Sequence, residues 1–449
     1  MKILSKGINL VSNLSGSSYL LEIENLTKQH EHVVVLVDNN HQIDSLFDEL
    51  NNIYRDITLL KYPNYGVANY SSSPVDHDVI KDRLNCLMHI KQISEYSKII
   101  IGTYKSIFYK TPSIEDASKS WCSISRKSKY MEILDLLKKY EYMKVTKVEE
   151  PGQYRLSGSI IDFFSTLEDS PVRINFFDDK IETLKKFSTS TQISDTNLEF
   201  TTLGSRGLYY LDTNNIEKYR DYVSKNFDDE YKDDLEYEAI VRDKSSINIQ
   251  NLIPTFYDKT CSLLSLIDKN FVCFMKNDIR KEYEEYAECL LSNYEQECIS
   301  GYVLKPDDLI ISQDSLDNII ANNYFYLSMN TSTKTPLIKS SYSPLPSVSI
   351  NYNYRNPFAN FENLYNDSTY SYTFFIKRND NFKTMKNYFE SKNIEYKEIH
   401  SLDDATSNIR NNFLYKSNAL LNKDFSDVPS SKLWYNNIEL ENTSTEFLG

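Results

Sequence analysis

The clearest pattern of apolar and polar positions lies between residues 159 and 187. Residues 159–164 (SIIDFF) and Val172–Phe177 (VRINFF) are rich in β-branched and aromatic side chains, which favour strands. The LEDSP stretch between them has turn chemistry, and Asp178-Asp179 predicts a second, tight turn into Lys180–Phe187. This pattern predicts a three-stranded antiparallel meander.

The second of these strands has two chemically different faces, because side chains alternate along a strand. One face carries three apolar residues and predicts the core: Val172, Ile174 and Phe176. The other face carries Arg173, Asn175 and Phe177. An aromatic ring beside a guanidinium on a solvent-facing surface is typical of an anchor for a protein partner. A strand buried on both faces is the alternative, and the pattern alone leaves both open.

Residues 1 to about 120 alternate between buried strands and amphipathic helices. Continuous apolar runs predict strands at 33–37 and 98–102, with a short strand at 57–60. Helical spacing covers 43–50 and 79–93, and a Ser/Gly turn at 14–18 leads into another helix. Strands that alternate with helices imply a parallel sheet.

The remainder of the chain is more polar. Helical periodicity recurs at 131–140, 216–228, 231–241 and 279–298. Residues 271–275 resemble a buried strand of a known family. The proline-containing stretch 331–349 predicts a linker. Beyond it, strands at 370–376, 394–399 and 413–421 and a helix at 382–392 predict a βαβ-type series. Residues 438–449 resemble the closing strand of a known small α/β domain.

Composition narrows the classes of function. The formal net charge of −14 argues against broad nonspecific binding to nucleic acid. Six cysteines without CxxC spacing are typical of reduced, buried thiols in a cytoplasmic protein, so no disulfide framework is predicted. We expect no secretory signal and no membrane-spanning segment, since no apolar run is long enough.

Three stretches suggest chemistry, and each has a plainer explanation. Ser15–Ser18 resembles a phosphate loop in position, but it has one glycine and no lysine, so a helix N-cap is favoured. His30 and His32 in QHEH lack a third ligand nearby, so solvated side chains and no metal are expected. Cys86 and His77 lie close in sequence, but a cysteine on a predicted helix without an orienting partner is weak support for a Cys–His enzyme.

The meander and the stretch before it carry a series of residues at fixed spacing. Those before the LEDSP turn are Glu150, Gly152, Tyr154, Gly158, Ile160, Ile161, Asp162 and Phe164. Those after it are Pro171, Arg173, Ile174, Phe176, Phe177, Asp178, Asp179, Ile181, Glu182 and Leu184. This series resembles the UvrB interaction domain, found in the excision-repair protein UvrB and in transcription-repair coupling factors, and the resemblance is specific because many positions match at fixed spacing.

A second, weaker match lies in residues 62–84, which resemble a segment shared by UvrB and the coupling factors. It rests on Pro63, Tyr70, Asp78, Val79, Ile80, Arg83 and Leu84. In ATP-using relatives this segment lies near nucleotide and DNA, whereas here we expect it to be structural. The resemblance therefore implies a degenerate P-loop-NTPase-like fold that has lost its ATPase motifs, with no cofactor.

The resemblance implies an α/β multidomain protein. Its first domain contains the parallel sheet and is built from two segments, residues 1–120 and the largely helical residues 204–330, in which the chain returns to that domain. The antiparallel meander of the UvrB interaction domain (121–203) is inserted between these two segments. A linker (331–350) then leads to a small C-terminal α/β domain (351–449).

The resemblance also implies a partner, the repair protein UvrA. In the family, an Arg and a Phe on the second strand contact UvrA, and they match Arg173 and Phe177, with Asn175 between them. A further family Arg falls at Ser157, and Arg155, which has the same strand parity, is the candidate to replace it. We expect substitutions of Arg173 and Phe177 to change folding stability little, as surface substitutions do.

Two functions are compared. The first is a non-catalytic, monomeric and cytoplasmic UvrA-recruiting module that links stalled RNA polymerase to nucleotide excision repair. RNA polymerase and DNA would be contacted only by coupling-factor domains without a counterpart in this sequence. The alternative is part of an ATP-dependent DNA translocase or UvrB-like helicase whose motor domains lie elsewhere. The missing P-loop lysine favours the first.

Overall fold

The computed structural model describes nine longer ranges and several short ones. The longer ranges are residues 5–12, 18–53, 57–71, 73–90, 97–227, 235–243, 249–267, 270–298 and 303–329. The shorter ones are residues 92, 338–339, 342–344, 359, 362, 371–375, 379–399, 412–415, 425–427 and 432–436. The SGSS loop, apart from Ser18, and the closing strand predicted at 438–449 lie outside these residues.

The first part of the chain alternates strands and helices, as its apolar pattern predicts. The strands are β1 (Gly7–Ser12), β2 (His32–Val37), β3 (Thr58–Tyr62), β4 (Lys98–Thr103) and β5 (Thr111–Pro112). The helices are α1 (Ser18–Thr27), α2 (Asn40–Ile53), α3 (His77–Ile90), α4 (Tyr104–Phe108) and α5 (Ile114–Ala117), followed by a 3₁₀ turn at Ser118–Ser120.

The next part is mainly antiparallel. One helix, α6 (Tyr130–Lys139), accompanies eight strands: β6 (Trp121–Ser125), β7 (Met143–Lys144), β8 (Gln153–Ser157), β9 (Ile160–Phe163), β10 (Val172–Phe177), β11 (Lys180–Phe187), β12 (Ser194–Asn197) and β13 (Phe200–Gly204). Strands β7 to β12 form one sheet in the order β12-β11-β10-β9-β8-β7. The predicted three strands are therefore the centre of a six-stranded sheet.

The described residues from 213 to 329 are mostly helical and supply two more strands to the first sheet. The helices are α7 (Thr213–Asn226), α8 (Leu235–Asp243), α9 (Ile249–Phe256), α10 (Leu263–Leu266), α11 (Ile279–Glu297), α12 (Pro306–Leu309) and α13 (Gln313–Asn322). The two strands that join the first sheet are β15 (Val272–Met275) and β16 (Tyr324–Met329), whereas β14 (Thr260–Cys261) pairs with β5 in a separate two-stranded sheet.

The seven-stranded sheet is parallel and joins distant parts of the chain. Its strand order is β17-β1-β16-β15-β2-β4-β3, where β17 is Ile338–Lys339. Strand β1 pairs with β16 in register, and β15 pairs with both β16 and β2. Side chains of β2 and β4 are buried almost throughout, which explains their unbroken apolar runs.

The antiparallel sheet lies between the two stretches that build the parallel sheet. Strands β6 and β13 pair antiparallel from Trp121 with Gly204 to Ser125 with Phe200, so the two ends of this segment lie side by side. An added Cβ at Gly204 would lie 2.5 Å from atoms of Thr166 and Leu167, so the LEDSP turn region packs closely on β13.

A further sheet is formed by the described residues after position 341. It contains β18 (Tyr342–Pro344), β19 (Ser371–Phe375), β20 (Tyr396–Ile399), β21 (Asn412–Tyr415), β22 (Phe425–Asp427) and β23 (Lys432–Asn436), with helix α14 (Asn379–Ser391). Strands β19, β20, β21 and β23 pair parallel, as a βαβ-type series predicts. Strands β17 and β18 lie within the stretch predicted as a linker.

Candidate functional site

The surface of interest is the face of the six-stranded sheet that is opposite its apolar core. We call it the outer face and define it by the residues of like parity on four strands: Arg155 and Ser157, Ile160 and Asp162, Arg173, Asn175 and Phe177, and Thr183 and Lys185. On β10 the residues of opposite parity, Val172, Ile174 and Phe176, are buried, as predicted. The alternative of a strand buried on both faces is wrong.

Phe177 has the most exposed ring of the outer face. Its side chain is 74% exposed, the largest value among the exposed large apolar residues in the described part of the chain. The following Asp178 and Asp179 both have positive φ, 48° and 61°, which is the geometry of a two-residue hairpin turn. The ring therefore stands beside a tight turn where a partner can reach it.

Helix α6 holds that turn from the other side of the sheet. The Tyr130 ring packs edge-on against Phe176, with ring centroids 5.2 Å apart. The Tyr130 backbone N–H donates to the Asp179 carboxylate at 3.2 Å. Ile133 and Leu137 of the same helix belong to the core beneath the sheet. The position of Phe177 is thus fixed by a helix and a core that do not share its surface.

Arg173 is held by a buried carboxylate rather than free in solvent. Its Nε donates to Asp162 Oδ1 at 2.7 Å and its Nη2 to Asp162 Oδ2 at 3.0 Å. Its Nη1 donates to the Gln192 carbonyl at 3.0 Å, and its guanidinium lies 4.7 Å from the centroid of the Phe187 ring. The hydrogen bonds with Asp162 raise the pKa of Arg173. The expectation that Arg173 contributes little to folding stability does not fit this geometry.

Arg155 lies in the same cross-strand row as Arg173. Arg155 pairs with Asp162, and Asp162 pairs with Arg173, so the carboxylate stands between the two guanidinium groups. Arg155 Nη1 lies 3.9 Å from Asp162 Oδ2. Ser157 lies one row nearer the hairpin turn, opposite Ile160. Arg155 therefore supplies a cation to the outer face, but one row farther from Phe177 than an Arg at 157 would.

Asn175 is the outer-face residue least suited to direct contact. It lies opposite Ile160 on one side and Thr183 on the other. Its amide oxygen Oδ1 is buried and accepts no hydrogen bond within the structure as described. We therefore find its side chain between its neighbours rather than presented to a partner.

The carboxyl edge of the parallel sheet is where such sheets bind phosphate-bearing ligands. Here Asn277, which follows β15, donates through Nδ2 to Asp38 at 3.0 Å and to Glu282 at 2.8 Å. Burial raises the pKa of Glu282. Two carboxylates bridged by one amide disfavour the approach of an anionic phosphate.

The remaining sequence candidates are structural. His32 is buried in β2, with its Nε2 3.2 Å from the Ile90 carbonyl oxygen, so the expectation that it is solvated is wrong. Cys86 is fully buried and burial raises its pKa to about 12, which keeps the thiol protonated. His77 is nine residues away on α3, about 13 Å along a helix, so no Cys–His pair forms.

The six cysteines are all free thiols, but they are not all buried. Cys86 and Cys273 are buried, whereas Cys289 and Cys298 on and after α11 are exposed, which corrects the expectation of buried thiols. Among the described residues, no group of three or more His, Cys, Asp and Glu side chains is arranged to hold a metal ion. No helix in the same residues is long and apolar enough to cross a membrane.

The comparison with protein families identifies the class of the antiparallel segment. Residues 123–209 match the UvrB interaction domain. This range overlaps closely with the domain expected at residues 121–203, and it contains the whole outer face. The chain therefore carries a UvrB interaction domain, as the spacing of its motif residues indicates.

Curated relatives extend the similarity beyond that domain, and the three described below are all named transcription-repair-coupling factor. The chain is 22% identical to the transcription-repair-coupling factor of Rickettsia typhi (strain ATCC VR-144 / Wilmington) over 92% of its own length and 37% of the relative's. Against that of Rickettsia prowazekii (strain Madrid E) the identity is 22%, over 68% of the chain and 26% of the relative. For Borreliella burgdorferi the identity is 27%, over 40% and 16%. The chain thus spans about a quarter to two fifths of the first two relatives.

Sequence reasoning missed three groups that position Arg173: the Asp162 carboxylate, the Gln192 carbonyl and the Phe187 ring. The role of Asp162 could have been suspected from the sequence, because it is the polar residue at an outward position in the apolar run IIDFF. The other two groups gave no such indication. Gln192 has a positive φ of 60° in a loop, and its carbonyl reaches Arg173 only through the fold of that loop.

Proposed function

We propose that this chain is the UvrA-recruiting module of a transcription-repair coupling factor and performs no nucleotide chemistry itself. One observation carries the proposal: the UvrB interaction domain presents an exposed Phe177 and a positioned Arg173 on one face of a rigid sheet. Exposed aromatic rings and arginines are the residues that most often dominate a protein interface. The names of the curated relatives point to the same process.

The parallel sheet supports the non-catalytic part of the proposal. The carboxylates of Asp38 and Glu282, bridged by the Asn277 amide, lie at the carboxyl edge of the parallel sheet, where a nucleotide phosphate would lie. The sequence of the preceding loop, SGSS, has no lysine to bind a terminal phosphate. We infer a degenerate P-loop fold that supports the interaction domain, in a cytoplasmic protein that acts as a monomer.

The domain boundaries belong to the same proposal. We divide the chain at 1–120, 121–203 and 204–330, with a linker at 331–350 and a small α/β domain at 351–449. The pairing of β6 with β13 supports the second domain, because it brings the two ends of that segment together. Contacts with RNA polymerase and DNA would belong to other parts of a longer coupling factor.

The test is a calorimetric titration of the chain with the cognate UvrA. We expect saturable binding that Phe177→Ala weakens by roughly 1–3 kcal/mol, the usual cost of losing an interface anchor. Phe200→Ala is the matched control, since its ring is 63% exposed but lies on β13, outside the outer face. The proposed surface would be contradicted if both variants weakened UvrA binding equally, or if neither variant weakened it.

The competing enzymatic function is tested on the same samples. The chain should release no phosphate from ATP above the background of a buffer blank, with or without duplex DNA. Turnover that rises with chain concentration and saturates with ATP would favour the translocase alternative.

A further inference from the structure

The centre of the outer face holds a carboxylate that solvent barely reaches. Asp162 is 2% exposed, although it points to the side of the sheet that meets solvent. It is covered by the two arginines of its own cross-strand row, Arg173 and Arg155. The carboxylate holds Arg173 by charge and by two hydrogen bonds, and it holds Arg155 by charge across 3.9 Å.

We propose that Asp162 is a positioning residue for partner recognition: it orients Arg173, and through its second oxygen Arg155, for a surface that offers carboxylate or carbonyl acceptors. The inference rests on the proposed function, in which that surface belongs to UvrA. Asp162 itself does not contact the partner, since the arginines cover it.

The hydrogen bonds of Arg173 show what is left for a partner. A guanidinium has five N–H donors. One on Nε and one on Nη2 go to Asp162, and one on Nη1 goes to the Gln192 carbonyl. The Phe187 ring lies against the guanidinium 4.7 Å away. The remaining N–H groups, one on each terminal nitrogen, are therefore held in a defined direction before binding, which reduces the entropy lost in the complex.

A charge-only explanation makes the opposite prediction and is the alternative to exclude. If the arginines act only as diffuse positive charge, removing the negative charge of Asp162 makes the outer face more positive. Association with an acidic surface would then become faster and tighter. If Asp162 positions the arginines, Asp162→Asn loosens the guanidinium groups, and the complex dissociates faster.

The experiment measures association and dissociation rates of the full chain with UvrA. We expect Asp162→Asn to weaken binding at least tenfold, mostly through a faster dissociation rate. Asp135→Asn is the charge-matched control, because it adds the same charge on helix α6, which packs under the other face of the sheet. Its affinity should stay within twofold of the parent chain. Unchanged or tighter binding by Asp162→Asn would overturn the proposal.

A double-variant cycle separates positioning from a direct contact. In a chain that already carries Arg155→Ala and Arg173→Ala, adding Asp162→Asn should change UvrA affinity less than twofold, because no guanidinium remains to be positioned. A further tenfold loss in that background would show that Asp162 contacts the partner directly and would overturn the positioning role.

A measurement without any partner keeps this inference separate from the proposed function. The Nε–Hε group of Arg173 should exchange slowly with solvent in a nitrogen-15 spectrum of the parent chain and fast in Asp162→Asn. If the parent chain does not bind UvrA, the proposed function fails while this result still tests the positioning. Equal exchange in both chains would overturn the positioning.

Phe187→Leu covers the case in which Asp162→Asn does not fold cooperatively. It keeps an apolar side chain at a buried position but removes the ring behind the Arg173 guanidinium. We expect dissociation from UvrA at least threefold faster, and an unchanged rate would overturn the proposal.

Discussion

The parallel-sheet domain and the antiparallel sheet each contain an arginine from a stretch that resembles the coupling factors, and the two arginines have different surroundings. Arg83 of the parallel-sheet domain is fully buried: its guanidinium lies between the Tyr62 and Tyr65 rings, 4.0 and 4.2 Å from their centroids. It donates to the Pro63 carbonyl and the Tyr62 hydroxyl. Arg173 of the antiparallel sheet is bound to a carboxylate and keeps one edge at the surface.

The two sheets also differ in their buried carboxylates. Glu49 on α2 is 1% exposed and accepts a hydrogen bond from the Tyr19 hydroxyl at 2.7 Å. Burial raises its pKa to about 7. Asp162 is buried to a similar degree but lies between two guanidinium groups. Arg83 and Glu49 of the parallel domain are thus enclosed by the fold, whereas the Asp162–Arg173 pair reaches the surface.

Removal of Arg83 should give the largest effect and sharpen this contrast. We expect Arg83→Ala to lower the free energy of unfolding by roughly 3–5 kcal/mol, because it empties a fully buried site and leaves the Pro63 carbonyl without its donor. UvrA affinity of the folded protein should not change. Denaturant titration and calorimetry measure the two quantities. Arg126→Ala, at an exposed arginine, is the control and should stay within about 0.5 kcal/mol.

Glu49 should make stability depend on pH, in a direction set by its raised pKa. The folded chain keeps the proton up to about pH 7, whereas the unfolded chain releases it near the ordinary value of 4.5. The contribution of protonated Glu49 to the free energy of unfolding is therefore complete below pH 4.5 and is lost as the pH rises through 7. From pH 5.5 to 8 the free energy of unfolding of the parent chain should fall by about 2 kcal/mol relative to Glu49→Gln. Parallel profiles for the two chains would contradict this assignment.

Arg173→Ala should cost stability as well as UvrA affinity, unlike an ordinary surface substitution. It leaves the Asp162 carboxylate with only the more distant Arg155, so we expect a loss of roughly 2 kcal/mol in denaturant melts. Phe177→Ala is the comparison and should remain within about 0.5 kcal/mol of the parent chain. A loss for Phe177→Ala as large as that for Arg173→Ala would show that the ring also supports the fold.

Asn175→Val should give the smallest effect and the opposite sign. The Asn175 amide oxygen is buried without a hydrogen bond, and valine suits a strand position between Ile160 and Thr183. We expect stability to rise by about 1 kcal/mol, with UvrA affinity unchanged. Weaker binding of UvrA by Asn175→Val would return Asn175 to the set of contact residues.

Alternation along β10 predicted from sequence which side packs in the core, because three apolar residues share that side, but it left open whether the other side is buried as well. The parallel sheet was predictable from a different signal, the unbroken apolar runs of strands that are buried on both faces. The contacts of Arg173 were not predictable, since they depend on the register between β9 and β10 and on a loop carbonyl at Gln192. The edge strands β7 and β12 were not predicted, because their sequences, MK and SDTN, are too short and too polar to show an alternating apolar pattern.

The order of the strands sets the order in which the two sheets are completed during synthesis. Strands β7 to β12 are consecutive in the chain, so the antiparallel sheet is complete as soon as they have been made. Strand β1 must wait for β16: the bond from Asn9 to the Phe325 carbonyl joins residues 316 apart. At the usual rate of roughly 5–20 residues per second, the surface with Phe177 and Arg173 is finished several seconds before β1 meets its partner. A nascent chain on the ribosome therefore already presents the outer face while its parallel sheet still lacks two central strands.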